Sequence, residues 1–175
     1  QIKAAESALD QAEALLPAEL EGRAEAALNN TRAQLAIVHS DESAACQAVA
    51  KLPDAIARAY ASNVDRIWLV QFYRMLGQTQ LWLNAPDAAA VDLESGLALI
   101  PPPLHPAARQ SLELLMARVE ARRGNPTAAA KWRTAAQNSA DQTLAALASN
   151  PDLQRCYQFL LQSAMEGEGS DAAGG

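Results

Sequence analysis

Asn84-Ala85-Pro86-Asp87-Ala88-Ala89-Ala90 recurs 40 positions later as Gly124-Asn125-Pro126-Thr127-Ala128-Ala129-Ala130. Each copy has a turn, then a proline suited to the first position of a helix, then small side chains. Small residues at that point let the second helix of a pair press against the first. Two copies at one spacing predict a repeated unit made of helix pairs.

Working outward, apolar residues keep a helical period almost everywhere. Ahead of the first copy, Val64, Trp68, Phe72, Met75, Thr79 and Trp82 share one face, and Ser62 with Asp65 resembles a capping box. Behind it, Ala89, Leu93, Leu97 and Ile100 face inward until Pro101-Pro102-Pro103 stops the helix. His105-Pro106 restarts the chain, with Ala108, Leu112, Leu115 and Val119 as the stripe. Gly124-Asn125 turns it, and Ala129, Trp132, Ala136, Thr143 and Leu147 come next. Asn150-Pro151 is an N-cap plus first helical residue for Leu153, Tyr157, Leu160 and Ala164.

Towards the N-terminus, Ile2, Ala5, Leu9, Ala12 and Leu16 form a stripe ended by Pro17, which can open the next helix. That helix carries Leu20, Ala24, Leu28, Leu35 and Val38. Ser40-Asp41 breaks the pattern and can cap a third helix. Ala45, Val49 and Leu52 continue it to Pro53, a kink or boundary, and residues 54–63 are either a short helix or a continuation. About eight helices joined by short turns predict an all-α chain of antiparallel hairpins. The helical domain spans residues 1–166, with its best repeats at 64–101 and 106–148, and residues 167–175 form a Gly/Ser/Asp/Ala tail expected to be disordered.

Composition agrees. Half of the residues are apolar, only 5% are aromatic, and 40 are alanine. Alanine has the best helix propensity and suits helices that approach closely. The net charge is −6 and the pI about 4.9, which argues against a nucleic-acid partner. No apolar run of about 18 residues exists, so no membrane insertion by this segment is expected. The chain opens at Gln1 without a signal peptide and has the character of a piece of a longer protein. Cys46 and Cys156 are expected to be buried free thiols, with a disulfide as the alternative. The compartment stays open: the cytoplasm is favoured, and the periplasm applies if a membrane anchor precedes the domain.

The segment from Tyr73 to Pro101 resembles a tetratricopeptide repeat. Tyr73 stands at the first-helix aromatic, Leu76-Gly77 at the Leu-Gly pair, Ala89 at the small residue of the second helix, Leu93 at a large position and Pro101 at the closing proline. Gln80, Asn84 and Gly96 depart from the pattern. The following unit keeps Gly124, Ala129 and Ala136 but has Met116-Ala117 for Leu-Gly, and its period is 40 rather than about 34. The first 60 or so residues share only the hairpin character. The resemblance implies a short α-solenoid whose first helices line a concave groove for a peptide. Carried over, the groove positions are Gln71, Arg74, Gln78, Leu81 and Trp82, then Ser111, Leu114, Arg118, Ala121 and Arg122. Arg74, Arg118 and Arg122 would form a basic stripe suited to an acidic segment or chain terminus. The plainer alternative for Arg118, Arg122 and Arg123 is that they complement a helix C-terminus.

No catalytic constellation is legible. His39 and His105 both lie beside helix boundaries, and His105 reads as a loop residue before a helix-starting proline. No Gly-x-Ser-x-Gly, Glu-x-x-His pair or phosphate loop occurs, and His39, Cys46, His105 and Cys156 are too scattered for zinc. Hence no catalytic residue, metal or cofactor is expected. Glu6, Asp10, Glu13, Glu19, Glu21 and Glu25 are expected on solvated faces. Asn29-Asn30-Thr31 fits a glycosylation acceptor, a pattern short enough to arise by chance. Trp68, Phe72 and Tyr73 are expected in the core, and Trp132 in a gap among alanines.

The sequence therefore points to a non-catalytic interaction module, a scaffold or sensor piece of a larger bacterial regulatory or assembly protein, binding another protein or peptide. The alternative is self-association, with a homodimer formed through the amphipathic first helices. Third in order is an α-helical enzyme whose site leaves no sequence signature.

Overall fold

A computed structural model describes residues 2–15, 21–61, 64–159 and 161. Among them the chain is all-helical. Seven helices run in order: α1 (Ile2–Ala14), α2 (Glu21–His39), α3 (Glu42–Ala61), α4 (Arg66–Trp82), α5 (Pro86–Leu99), α6 (Pro106–Arg122) and α7 (Pro126–Ala146). A further helical stretch covers residues 151–159. Pro17, Leu16, Leu20, Ser62, Ala164 and the tail from 167 lie outside the described residues.

Helix starts obey the local chemistry. Pro86, Pro106 and Pro126 are the first residues of α5, α6 and α7, where a missing N–H costs nothing. Asp41 Oδ1 accepts from Ala44 N at 2.9 Å, Asp65 Oδ1 from Ile67 N at 3.0 Å and Asn150 Oδ1 from Leu153 N at 3.2 Å. These carboxylates and this amide satisfy donors that the first helical turn leaves open.

The turn repeated in the sequence occurs three times in space. Ser40, Asn84 and Gly124 have φ of 54°, 57° and 74°. After them, Asp41 N bonds Ala36 O at 2.9 Å, Ala85 N bonds Gln80 O at 2.8 Å and Asn125 N bonds Glu120 O at 2.8 Å. Together with the shorter bonds from Ser40, Asn84 and Gly124, this is one left-handed C-cap used to end α2, α4 and α6. The first copy was hidden because it carries Ser-Asp and no proline.

Three hairpins result: α2 packs on α3, α4 on α5 and α6 on α7. Between hairpins, α2 meets α4 and α4 meets α6, while α3 and α5 each meet the first helix of the next pair. Among the described residues, α3, α5 and α7 do not meet one another. So α2, α4 and α6 form one layer, with their partners behind them. Helix α1 joins only α2, partly through Arg32 and Asp10 at 2.7 Å.

The core lies on both sides of α4. Leu69, Phe72 and Leu76 pack with Leu52, Ile56 and alanines of α2 and α3. Val70 and Leu81 pack with Leu93, Leu97, Ile100, Leu112, Met116 and Val119 of α5 and α6. Each large side chain buried this way stabilises the fold by about 1.5–3 kcal/mol. Gly77 sets the spacing inside the middle hairpin, since a Cβ there would come within 2.5 Å of Leu93 Cγ. Trp132 is half-buried against the second of these clusters.

Several sequence-based expectations need correction. Pro53 does not end a helix; α3 continues through it to Ala61. The ring is exposed while Leu52, Ala55, Ile56 and Ala59 hold the helix to its neighbours. In α2 the buried line is Ala26, Asn29, Ala33 and Ala36, and Val38 is 74% exposed. The closest helix contact selects the smallest side chains, so the large apolar residues of α2 mark its flank. Trp68 is 42% exposed, not core, and carries the Arg23 guanidinium 4.4 Å above its ring. Cys46 and Cys156 are free thiols but exposed. Asp10 is on a solvated face as expected, 73% exposed, and pairs with Arg32 at 2.7 Å, while Glu25 is more covered and pairs with Arg58 at 2.6 Å. Asn29 is 1% exposed in mid-helix, which removes the Asn29-Asn30-Thr31 triplet as an acceptor in the folded chain.

Candidate functional site

The face of interest is the layer formed by α2, α4 and α6. Near the C-terminal ends of α4 and α6, a cavity of about 150 Å³ is lined by Ile37, Gln78, Leu81, Trp82, Leu115, Arg118 and Arg122. Five of the ten groove positions carried over from the resemblance, Gln78, Leu81, Trp82, Arg118 and Arg122, meet here. Near the N-terminal ends, Gln71 and Ser111 share a second, wider recess of about 470 Å³ with Ile67, His105, Pro106 and residues of α7. Helical spacing accounts for both groupings, because positions 71, 74, 78, 81 and 82 recur on one face of α4.

Arg74 lies between the two recesses along α4. Its Nε donates to Gln71 Oε1 at 3.0 Å and its Nη1 donates to Gln78 Oε1 at 3.3 Å. Among the described residues no carboxylate pairs with Arg74. Burial lowers its pKa from the ordinary arginine value. Two neutral amides therefore hold a partly desolvated guanidinium in place without cancelling its charge.

The other arginines differ. Arg122 Nη1 donates to Leu81 O at 2.9 Å, so it caps the end of α4. The plainer sequence reading of a cation serving a helix C-terminus thus describes Arg122, although the helix served is its neighbour rather than its own. Arg123 turns away from the cavity to Glu120 and Asp87 at 2.9 and 2.8 Å. Arg118 is half-buried and lines the cavity. Leu115, not Leu114, reaches the cavity from α6, and Ala121 is exposed beyond it. The register carried over from the resemblance is thus one residue out at this point on α6.

Behind the face, buried polar residues stiffen α6. Glu113, 2% exposed, pairs with Arg109 at 2.8 Å and accepts from Ser139 Oγ at 2.7 Å. Arg109 also donates to Ile100 O at 2.8 Å, tying α5, α6 and α7 together. Gln110 accepts from Tyr157 Oη at 2.6 Å, which docks the last helical stretch. Sequence reasoning missed this network. An Arg and a Glu four apart ordinarily mark a solvated helix face.

Among the described residues no three His, Cys, Asp or Glu side chains are placed to hold a metal ion, and no helix is long and apolar enough to cross a membrane. No protein-family model matches this chain, and no curated protein or solved structure matches it.

Proposed function

We propose that this chain is a protein-interaction module of tetratricopeptide-like helical repeats, and that the α2–α4–α6 layer holds an extended, acidic segment of another protein. The observation that carries this reading is Arg74. Its guanidinium is fixed by two glutamines, partly desolvated and left without a carboxylate, between two recesses on the same face. A peptide carboxylate would complete it, with charge-assisted bonds stronger than neutral ones. The cavity floored by Leu81 and Leu115 would take an apolar side chain beside it. A scaffold or sensor role in a larger bacterial protein fits such a module by analogy of fold.

Capture from bacterial lysate tests this, comparing the chain with its Arg74→Glu/Arg118→Glu double variant by mass spectrometry. A partner held by the first and lost at least tenfold by the second, with unchanged helical circular dichroism, is the expected result. Capture indifferent to the charge reversal would remove the partner from this face.

A second reading, self-association, has its own observation. Leu15, just beyond α1, and Val38, in α2, are 81% and 74% exposed. Sedimentation at rising concentration separates the two, because a homodimer through these helices would be unaffected by Arg74→Glu.

A further inference from the structure

A cleft of about 470 Å³ lies between α1, α2 and the first half of α3. Its size falls in the range of small-molecule sites, about 300–1,000 Å³. At its wall stands Asn29, the one polar residue in the buried line Ala26, Asn29, Ala33, Ala36 of α2. Asn29 Nδ2 donates to Glu25 O at 3.1 Å, while Asn29 Oδ1 is buried without any partner. Exchanging the two atoms would set oxygen against oxygen, so the orientation is fixed by the backbone carbonyl. A buried acceptor left without a donor destabilises the fold. Alanine, used at the neighbouring positions, would avoid that cost.

The rest of the lining carries both signs of charge. Asp10 and Arg32 form one pair across α1 and α2, and Asp41 uses one oxygen to cap α3. Lys51, exposed, makes no hydrogen bond or ion pair among the described residues. The antiparallel pairing that groups Ala33 with Ala48 brings Lys51 level with Asn29. We propose that this cleft binds a small zwitterion, a free amino acid or a dipeptide. Its ammonium or amide N–H donates to Asn29 Oδ1, and its carboxylate pairs with the Lys51 ammonium. Asp10 and Asp41 favour the ligand's cationic end and disfavour a multiply charged anion such as a phosphate ester. Because α1 forms one wall, occupation would also fasten α1 to the hairpin behind it.

The test uses the full 175-residue chain, labelled for heteronuclear NMR and titrated separately with each common amino acid and with Gly-Gly. At least one probe is expected to shift the Asn29 side-chain amide and the Lys51 signals together, and to raise the melting temperature. Lys51→Glu, a surface change that leaves the core alone, should weaken that binding tenfold or more. Asn29→Leu should abolish it. No shift with any amino acid or with Gly-Gly overturns the proposal, as does binding that survives Lys51→Glu. A cross-relaxation peak from a long-lived water to the Asn29 side chain, with no shift by any probe, would assign the orphan oxygen to a buried water and equally overturn it. The Arg74 experiment concerns a different set of residues, so either proposal can fail without the other.

Discussion

Gly22 shows how a single missing methyl shapes the first hairpin. A Cβ at Gly22 would lie 2.7 Å from Ala59 N and 2.8 Å from Arg58 C. Backbone cannot rotate aside as a side chain can. Gly22→Ala is therefore expected to destabilise by about 1–3 kcal/mol, as overpacking does, measured by urea denaturation. Gly77→Ala meets only the Leu93 side chain and should cost less. Charge supplies a second test at this scale. The Asn125 amide, and then Arg123, hold the Glu120 carboxyl below its ordinary value of 4.5. Its stabilising contribution is complete above that ordinary value and is lost as pH falls through the depressed folded value. Glu120→Gln should thus be less stable than the native chain at neutral pH. The gap should close on acidification, as tracked by thermal melts across pH. A gap that widened in acid would contradict the assigned contacts.

At the scale of helices, α3 carries a proline that its surroundings outvote. Pro53 has no N–H for the carbonyl one turn earlier, a defect worth about 3 kcal/mol against alanine in a helix interior. The buried residues on both sides, Leu52, Ala55, Ile56 and Ala59, keep the helix intact. Pro53→Ala is expected to raise stability, by up to about 3 kcal/mol, without changing helix content; a drop in melting temperature would mean the proline ring itself is needed for packing. The periods of α4 to α6 were legible in the sequence because large apolar residues there face the core. That of α2 was not. Ala26, Ala33 and Ala36 carry little hydropathy yet mark the closest contact, whereas Leu28 and Val38 carry much and lie outside it. A pattern weighted by side-chain size points the wrong way wherever helices touch through alanine.

Across the whole molecule, α4 is the helix on which the rest depends. It belongs to the clusters on both sides and contacts α2, α3, α5 and α6. Helix α1 contacts α2 alone. Local opening should reflect that difference. Native-state hydrogen exchange is expected to release α1 amides first and those of α4 last. Early loss of protection in α4 would show that the two core clusters do not support one another. The same connectivity places Arg74, held by Gln71 and Gln78, on the helix with the most neighbours.

By itself the sequence determined the all-α class, the second helix of each later pair, and the proline starts and left-handed stops that delimit them. These are properties of neighbours along the chain, carried by φ preferences, missing donors and a period of 3.6. Gln78, Leu81, Trp82, Arg118 and Arg122, positions carried over from the resemblance, line one cavity in the structure. Only the tertiary structure decided what each arginine does. Arg122 spends its charge on the end of α4 and Arg123 on Glu120 and Asp87, while Arg74 meets two amides. It likewise decided that Trp68 lies outside the core, that Glu113 lies within it, and that Asn29 keeps an oxygen unpaired. Those outcomes depend on which side chain arrives from a helix tens of residues away, and no local pattern records that arrival.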